Sequence, residues 1–494
     1  MGFGFDRRLS RDVVTLAGPV ILAMLTQTAI NLVDTIMVGR LPTSYSIAGQ
    51  AAIALSLIIL WAFTGFLSAL SVGTQAITAR RFGEEKWGLA GRVLTNSMVI
   101  ATLSSAIVTV IGWVAMPAIF GLVSRNRDVI ELGVSYNRIR MLSAIAIVAT
   151  ASCKSWFDGI GRTYVHMVAA IVMNLSNILL NYLLMYGIWI FPKLYVDGAA
   201  WGSMISGWIG LIIIIAWALK ANYRKKYAFG HLGNLSRKVS WDIVRISFPS
   251  GLAVVFVMSG FALFLLIVGI VDAREVRDTV RSFPFYRDLS LVGLHMYRGA
   301  PYVQDPFLIV LESAPPLYSA ATKIIIDILS ISFMSCLAFG TATATLVSQS
   351  LGRRDPELAE RYGWESVKIG VVLMGTLGLV AILTPDLLLR IFSKDQSVID
   401  AARNSLRLMG LSEALIAVGM IMAQALYGAG NSKFVMYAEA LLHGVLLVPL
   451  SYALGIWLDW GMFGIWVAAL TYMLMLAVVM SWKFREGKWK EIQI

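Results

Sequence analysis

Long apolar runs separated by short polar connections make up most of this chain. A helix needs about 20 mainly apolar residues to cross the hydrocarbon core of a bilayer, and the runs reach that length. They are continuously apolar and do not alternate, so they are not the strands of a membrane β-barrel. The pattern predicts an all-α integral membrane protein with twelve transmembrane helices. The predicted spans are 13–39, 50–79, 93–122, 134–158, 165–191, 198–219, 244–271, 317–350, 366–393, 402–428, 434–457 and 461–482.

The second half of the chain repeats the first. TQAITARRFGEEKWGLAGR at 74–92 aligns with TATLVSQSLGRRDPELAER at 343–361. At the same offset, SWFDGIGRT at 155–163 aligns with QALYGAGNS at 424–432. Internal repeats of this kind indicate a duplicated architecture.

The first helices of the two halves also correspond, at a smaller offset, because Pro19 and Gly39 align with Pro249 and Gly269. Six spans return a chain to the side where it began, so the two halves are parallel and related by an axis along the membrane normal. Transporters built in this way hold their substrate between two bundles that rock against each other. We therefore expect two six-helix bundles related by a pseudo-twofold axis.

The difference between the two offsets predicts an insert between spans seven and eight. We expect an N-terminal bundle at 1–220, a cytoplasmic linker at 221–243 and a C-terminal bundle at 244–494. The insert, at about 273–312, then lies on the extracytoplasmic side. Its mixed charges and aromatic residues suit an interfacial or cavity-capping element, although a loop without a role fits equally well.

Composition and charge agree with this topology. The chain is 58% hydrophobic and 14% charged, whereas soluble domains are about 45–50% apolar. The net charge of +12 comes from basic residues in alternate connections between spans, which favours membrane orientation over nucleic-acid binding. Both termini are expected to be cytoplasmic, in the cell inner (cytoplasmic) membrane, and no signal peptide is expected. The two cysteines lie in apolar runs and are interpreted as packing residues.

Two of the predicted spans carry polar side chains along one face. Asp34 is the one ionisable group among them, and a charge at bilayer depth costs at least about 2.5–3.5 kcal/mol, so it is a functional candidate. Spacings of three and four residues place each set on a single helix face. Each set includes a residue near the outward end of its span, which predicts a shared cavity in the outer half of the N-terminal bundle. The alternative is that the amides only join helices by hydrogen bonds. The residues are Gln27, Asn31 and Asp34 in the first span and Asn174, Asn177 and Asn181 in the fifth.

A lone carboxyl group in such a cavity is suited to ion exchange. Burial disfavours its charged form, whereas an approaching cation favours that form. The group can therefore exchange a proton for a cationic substrate without a metal site or a covalent step. Asp34 is thus the predicted coupling residue of an antiporter, with neighbouring asparagines as hydrogen-bond partners.

Three motifs closely resemble the multidrug and toxic compound extrusion (MATE) transporters of bacteria and archaea. They are GPVILAMLTQTAINLVDTIMVGRL, the glycine turns SWFDGIGRT and QALYGAGNS, and the fifth-span pattern NILLNYLLMYG. The resemblance implies twelve spans in two lobes and export of amphiphilic, mostly cationic compounds, driven by an inward proton or sodium gradient, without a cofactor. It places a coupling role on Asp34 and a helix-bending role on Pro19. Drugs or toxic metabolites are then the partners, in a membrane-embedded chain expected to be a monomer.

Two positions depart from the branches of that family. The proton-coupled, DinF-like branch has an aspartate where this chain has Asn181. The sodium-coupled, NorM-like branch has a seventh-span glutamate in the neighbourhood of Met258. Proton and sodium coupling both stay open.

Further charged residues lie inside the predicted spans. Lys323 and Asp327 have the spacing of an internal ion pair, which favours mutual neutralisation. Glu413, Glu439 and His443 either form a second proton path or hydrogen-bond neighbouring helices.

Other functions are less compatible with the sequence. A lipid-linked oligosaccharide or lipid flippase of a related fold is the alternative, but it calls for cationic residues along a central cavity, and these are scarce within the spans. The four histidines show no metal-ligand or triad-like spacing, and there is no HExxH or GxSxG motif, which argues against an enzyme. The absence of a GxxxxGK[ST] loop argues against transport driven by ATP.

Overall fold

The computed structural model describes residues 4–123, 127–282 and 317–494, and these form helices joined by short connections, with no β-strand among them. The N-terminal half contains α1 (Arg7–Gly39), α2 (Thr43–Ser68), α3 (Leu70–Gly83), α4 (Trp87–Val123), α5 (Arg127–Met141), α6 (Ala144–Gly159), α7 (Thr163–Tyr186) and α8 (Tyr195–Ala218). The short helix α9 (Ala221–Tyr227) follows in the linker. The C-terminal half contains α10 (Arg237–Ser282), α11 (Leu317–Gly352), α12 (Pro356–Leu383), α13 (Pro385–Phe392), α14 (Gln396–Gly428), α15 (Ser432–Leu441), α16 (Val448–Tyr452) and α17 (Gly461–Glu486). The predicted insert at 273–312 falls mostly outside the described residues, and its first ten residues continue α10.

Aspartates begin several helices by accepting bonds from free backbone N–H groups. Asp6 accepts from the N–H groups of Arg8 and Leu9 at the start of α1, and Asp355 accepts from Leu358 at the start of α12. An aspartate at this position satisfies donors that the helix itself leaves unpaired. The bond from the Leu9 N–H holds the pKa of the Asp6 carboxyl below its ordinary value.

The twelve-helix membrane architecture is present, but several predicted spans are divided, for example 50–79 into α2 and α3 and 366–393 into α12 and α13. Within residues 4–123, 127–282 and 317–494, eleven helical segments are long and apolar enough to cross a membrane. The fourth predicted span, 134–158, consists instead of α5 and α6, which are interrupted at Leu142 and Ser143. Arg138 and Arg140 lie in the last turn of α5 and shorten the apolar stretch, so neither helix reaches spanning length alone.

The two lobes meet backbone to backbone where α3 crosses α11, on the side predicted to be cytoplasmic. A Cβ atom on Gly83 would lie 2.1 Å from the carbonyl oxygen of Gln349, and one on Gly352 would lie 2.3 Å from that of Arg80. The hydroxyl of Ser348 donates to the carbonyl of Ala76 at 2.7 Å across the same contact. Glycine is required at this crossing because any side chain would push the helices apart.

The start of α1 also belongs to this contact between the lobes. The backbone N–H of Asp6 and the hydroxyl of Ser10 donate to Oε1 of Glu365 on α12, at 2.8 and 2.6 Å. Leu9 and Val13 are buried in the hydrophobic core of the C-terminal lobe. The predicted first span therefore joins both lobes, with its first turns in one and its last turns in the other.

Candidate functional site

Asp34 and Asn181 connect the two polar helix faces of the N-terminal lobe. The Nδ2 group of Asn181 on α7 donates to Oδ1 of Asp34 on α1 at 2.7 Å. Asn181 is fully buried, whereas Asp34 is partly exposed. The carboxyl group thus has one side fixed to protein and another accessible, which is an arrangement suited to binding and release.

The asparagine face of α7 extends this connection to both neighbouring helices. Asn177 accepts from Asn181 at 3.3 Å and donates to the hydroxyl of Ser203 on α8 at 3.0 Å. Asn174 donates to the hydroxyl of Thr26 on α1 at 2.9 Å. We call Asp34, Asn174, Asn177, Asn181, Thr26 and Ser203 the N-lobe polar network.

Gln27 lies apart from this network. Gln27 is exposed, and no hydrogen bond within the described part of the chain joins it to Asp34 or to the asparagines. Asn31 lies on α1, with its side chain outside the described part of the structure. Pro19 is inside α1, which continues unbroken from Arg7 to Gly39.

Helix α8 supplies a part of the site that the polar pattern did not identify. A Cβ atom on Gly202 would lie 2.0 Å from Oδ1 of Asn181, and one on Gly198 would lie 2.7 Å from the carbonyl of Leu184. Small residues at intervals of four allow membrane helices to approach closely. This spacing is the sequence signal for the α7–α8 contact, and it consists of Gly198, Gly202, Ser206 and Gly210.

Replacing Gly202 by alanine is expected to displace Asn181 and to destabilise the lobe. Overpacking a close contact costs about 1–3 kcal/mol, and here the added methyl meets a buried amide that is bonded to Asp34. The measurement is the thermal unfolding midpoint of the detergent-solubilised protein. The control is Gly207→Ala on the same helix, where the nearest atoms to the new Cβ lie 3.9 and 4.0 Å away. Equal midpoints for the two variants would show that the contact is not tight.

The surroundings of Asp34 include a positively charged side chain. Arg140 on α5 is close enough to Asp34 to attract it electrostatically, although the two do not form an ion pair within 4.0 Å. The Nε atom of Arg140 is buried and has no hydrogen-bond partner among the described residues. Tyr136, one turn earlier on α5, is buried and interacts electrostatically with both groups. Sequence reasoning missed this arginine because it lies on a different helix, at the break in the fourth span.

The C-terminal lobe has no carboxyl group at the position equivalent to Asp34. The alignment that pairs Pro19 with Pro249 pairs Asp34 with Phe264, which is buried in the core. The two lobes are therefore chemically different despite their shared ancestry.

The other charged residues predicted within spans of the C-terminal lobe are either paired or buried. Lys323 donates to Oδ1 of Asp327 at 2.6 Å, so the internal pair forms. Glu413 is buried, and its Oε2 atom has no hydrogen-bond partner in the described structure. Glu439 and His443 face each other, with Nδ1 3.3 Å from Oε2. Among the described residues, no cluster of three or more His, Cys, Asp or Glu side chains has the arrangement of a metal site.

Comparison with known proteins agrees with the fold. The MatE family model matches residues 19–183 and 308–453. The chain is 21% identical over 488 residues to a probable multidrug resistance protein NorM of Thermotoga maritima, covering 98% of this chain and 94% of the relative. It is 24% identical over 457 residues to the multidrug resistance protein PmpM of Pseudomonas aeruginosa, covering 91% and 84%.

Solved structures share the same architecture. A multidrug resistance MATE family transporter of the MOP superfamily, in an outward-facing conformation, superposes with a TM-score of 0.80 at 19% identity, over 98% of this chain and 97% of the other. These matches confirm the expected resemblance to MATE transporters and the twelve-helix fold. They also confirm the prediction that the protein is a transporter and not an enzyme. The family match covers more than half of the chain, and the chain belongs to the MatE family of multidrug and toxic compound extrusion transporters.

Proposed function

We propose that this protein exports amphiphilic, mostly cationic small molecules by antiport through alternating access, with Asp34 as the coupling residue. Its place is the inner membrane, with both termini in the cytoplasm. The single observation that carries the proposal is the 2.7 Å bond from Asn181 to a partly exposed carboxyl group inside an apolar helix.

The amide partner suits both states of the carboxyl group. As a carboxylate, Asp34 accepts the N–H of Asn181, and the Oδ1 atom of that amide is then buried with no partner in the part of the chain that the structure describes. A rotated amide presents its oxygen instead and can accept the O–H of a protonated Asp34. The buried Asn181 can thus stabilise either form, while the exposed side of Asp34 receives a proton or a cationic substrate.

The surroundings favour a proton over a sodium ion. A hard cation such as Na⁺ is held by several oxygen ligands, whereas Asn181 turns an N–H group toward Asp34. The positive charge of the Arg140 guanidinium would repel a sodium ion bound at Asp34. Protonation removes the carboxylate charge without adding an ion beside the arginine.

The contact between the lobes supports alternating access. The α3–α11 crossing closes the predicted cytoplasmic side, so substrate entry from that side requires Gly83 and Gly352 to separate. A rocking motion that opens and closes this crossing would expose Asp34 to the two sides in turn, which is the behaviour of parallel-repeat transporters.

The test is uptake of a cationic dye such as ethidium into inverted vesicles, with a proton gradient and a sodium gradient imposed separately. We expect an inside-acidic gradient to drive uptake and a protonophore to stop it. Vesicles without the protein provide the baseline. Uptake driven by sodium alone would contradict the choice of ion, and uptake dependent on neither gradient would overturn the antiport proposal in favour of a carrier of another class.

A further inference from the structure

We propose a second proton-binding site in the C-terminal lobe, formed by Glu439, His443 and Tyr472. The inference rests on the proposed antiport function and extends it from one proton per cycle to two. It assigns a role to the buried ionisable side chains of α15 and of the irregular helical turn that follows it.

The three side chains form a compact buried cluster. Nδ1 of His443 lies 3.3 Å from Oε2 of Glu439 and 3.0 Å from its backbone oxygen. The hydroxyl of Tyr472 donates to the same Oε2 atom at 3.1 Å, and its ring centroid is 4.5 Å from that of His443. The side chains of His443 and Glu439 are only 5% and 13% exposed.

The cluster occupies the place that the polar network occupies in the other lobe. The offset that aligns SWFDGIGRT with QALYGAGNS also aligns His443 with Asn174. Asn174 faces α1, bonding to Thr26, and His443 faces α10, which is the C-lobe counterpart of α1. Duplication therefore placed polar groups against the first helix of both lobes, with amides in one case and titratable groups in the other.

Packing links the histidine to the movement of α10. A Cβ atom on Gly260 would lie 2.7 Å from Cδ2 of His443, so the imidazole rests directly on the α10 backbone. The chain at Leu442–Leu447 is a π-helix, and a second π-helix follows at Ala453–Trp457, on either side of Pro449. Helical irregularities of this kind occur frequently at functional sites, and they let a helix shift without losing all its backbone bonds.

The cluster gains one proton in the proposed cycle. In the unloaded state Glu439 is a carboxylate that accepts from Tyr472, and His443 is neutral. One added proton produces an imidazolium beside the carboxylate, and the attraction between them compensates its burial. Among the described residues, Tyr427 of α14 is a further titratable group at the cluster, and it interacts electrostatically with Glu439. Gly260 is the contact from α10, and Tyr472 the one from α17.

Two protons per cycle make the exchange of a monovalent cation electrogenic. Outward movement of one positive charge against inward movement of two transfers one net charge, so a membrane potential alone drives transport. Exchange through Asp34 alone is electroneutral for the same substrate. The number of protons is therefore measurable as a response to potential.

The experiment uses the full-length protein in proteoliposomes with ethidium. A potassium gradient with valinomycin imposes a potential at equal pH, and a pH gradient is imposed separately. We expect the wild-type protein to respond to both. Glu439→Gln and His443→Gln should lose the response to potential while keeping uptake driven by the pH gradient, and Glu439→Asp should restore it. With a gradient of one pH unit, the loss of one proton per transport cycle lowers the final ratio of internal to external ethidium about tenfold.

Matched controls separate this inference from the antiport proposal. Asp327→Asn removes a carboxylate from an exposed ion pair of the same lobe and should leave the response to potential unchanged. A wild-type protein driven by the pH gradient but indifferent to potential would overturn the second site and leave Asp34 coupling intact. Wild-type indifference to both would overturn the antiport proposal itself. If the Glu439 variants fail to fold, His443→Gln still tests the location of the second site, and the wild-type measurement tests the number of protons.

Discussion

Asp34→Asn is expected to abolish gradient-driven efflux while leaving the protein folded and in the membrane. Asparagine occupies nearly the same volume and can still bond to Asn181, so the α1–α7 contact survives. It cannot bind or release a proton, so the exchange of substrate for a proton in the N-terminal lobe is lost even if the C-terminal cluster still binds one. We expect uptake into inverted vesicles to fall to the level of vesicles without protein, because substrate can no longer be exchanged for a proton at Asp34.

The control for this substitution is Asn181→Ala, which keeps the carboxyl group and removes its partner. Loss of a hydrogen bond to a charged group costs about 1.5–3 kcal/mol, so this variant should still transport, but with an altered pH dependence. Thermal unfolding in detergent verifies that both variants are folded. Normal efflux by Asp34→Asn at wild-type levels of protein would refute the coupling role.

Local spacing was enough to predict the helices and the polar faces of the N-terminal lobe. Asp34 and Asn181 were both identifiable because a polar group in an apolar run is costly, whatever surrounds it. Which atoms meet could not be read from spacing, since the 2.7 Å bond depends on how α1 and α7 pack. Gly202 and Arg140 were missed for the same reason, as each approaches the site from another helix.

The fourth span shows the limit of hydropathy. The apolar run at 134–158 was continuous enough to predict one helix, but the structure divides it into α5 and α6. The division places polar residues of α5, including Tyr136 and Arg140, where they interact electrostatically with Asp34. A hydropathy average hides such residues because their apolar neighbours compensate for them, although their position determines the electrostatics of the site.

Gly352→Val is expected to hold the two lobes apart on the predicted cytoplasmic side and to slow transport. The new Cβ would lie 2.3 Å from the carbonyl oxygen of Arg80 and 3.0 Å from Cα of Gly83. Both obstacles are backbone atoms in helices, which cannot rotate away as a side chain can. Overpacking of about 1–3 kcal/mol corresponds to roughly a 5- to 150-fold shift in a two-state equilibrium. Export should decrease by a similar factor because the closed state is rarely reached.

The shift is measured by thiol labelling of Ser348→Cys, after the two buried cysteines have been replaced by alanine. Ser348 is fully buried between the lobes, so its labelling rate reports how often they separate. Gly352→Val should raise that rate. Gly375→Val is the control, because a Cβ atom there meets nothing within 4 Å. If Gly352→Val labels as slowly as Gly375→Val and transports as well, the α3–α11 crossing is not the closure that alternating access requires.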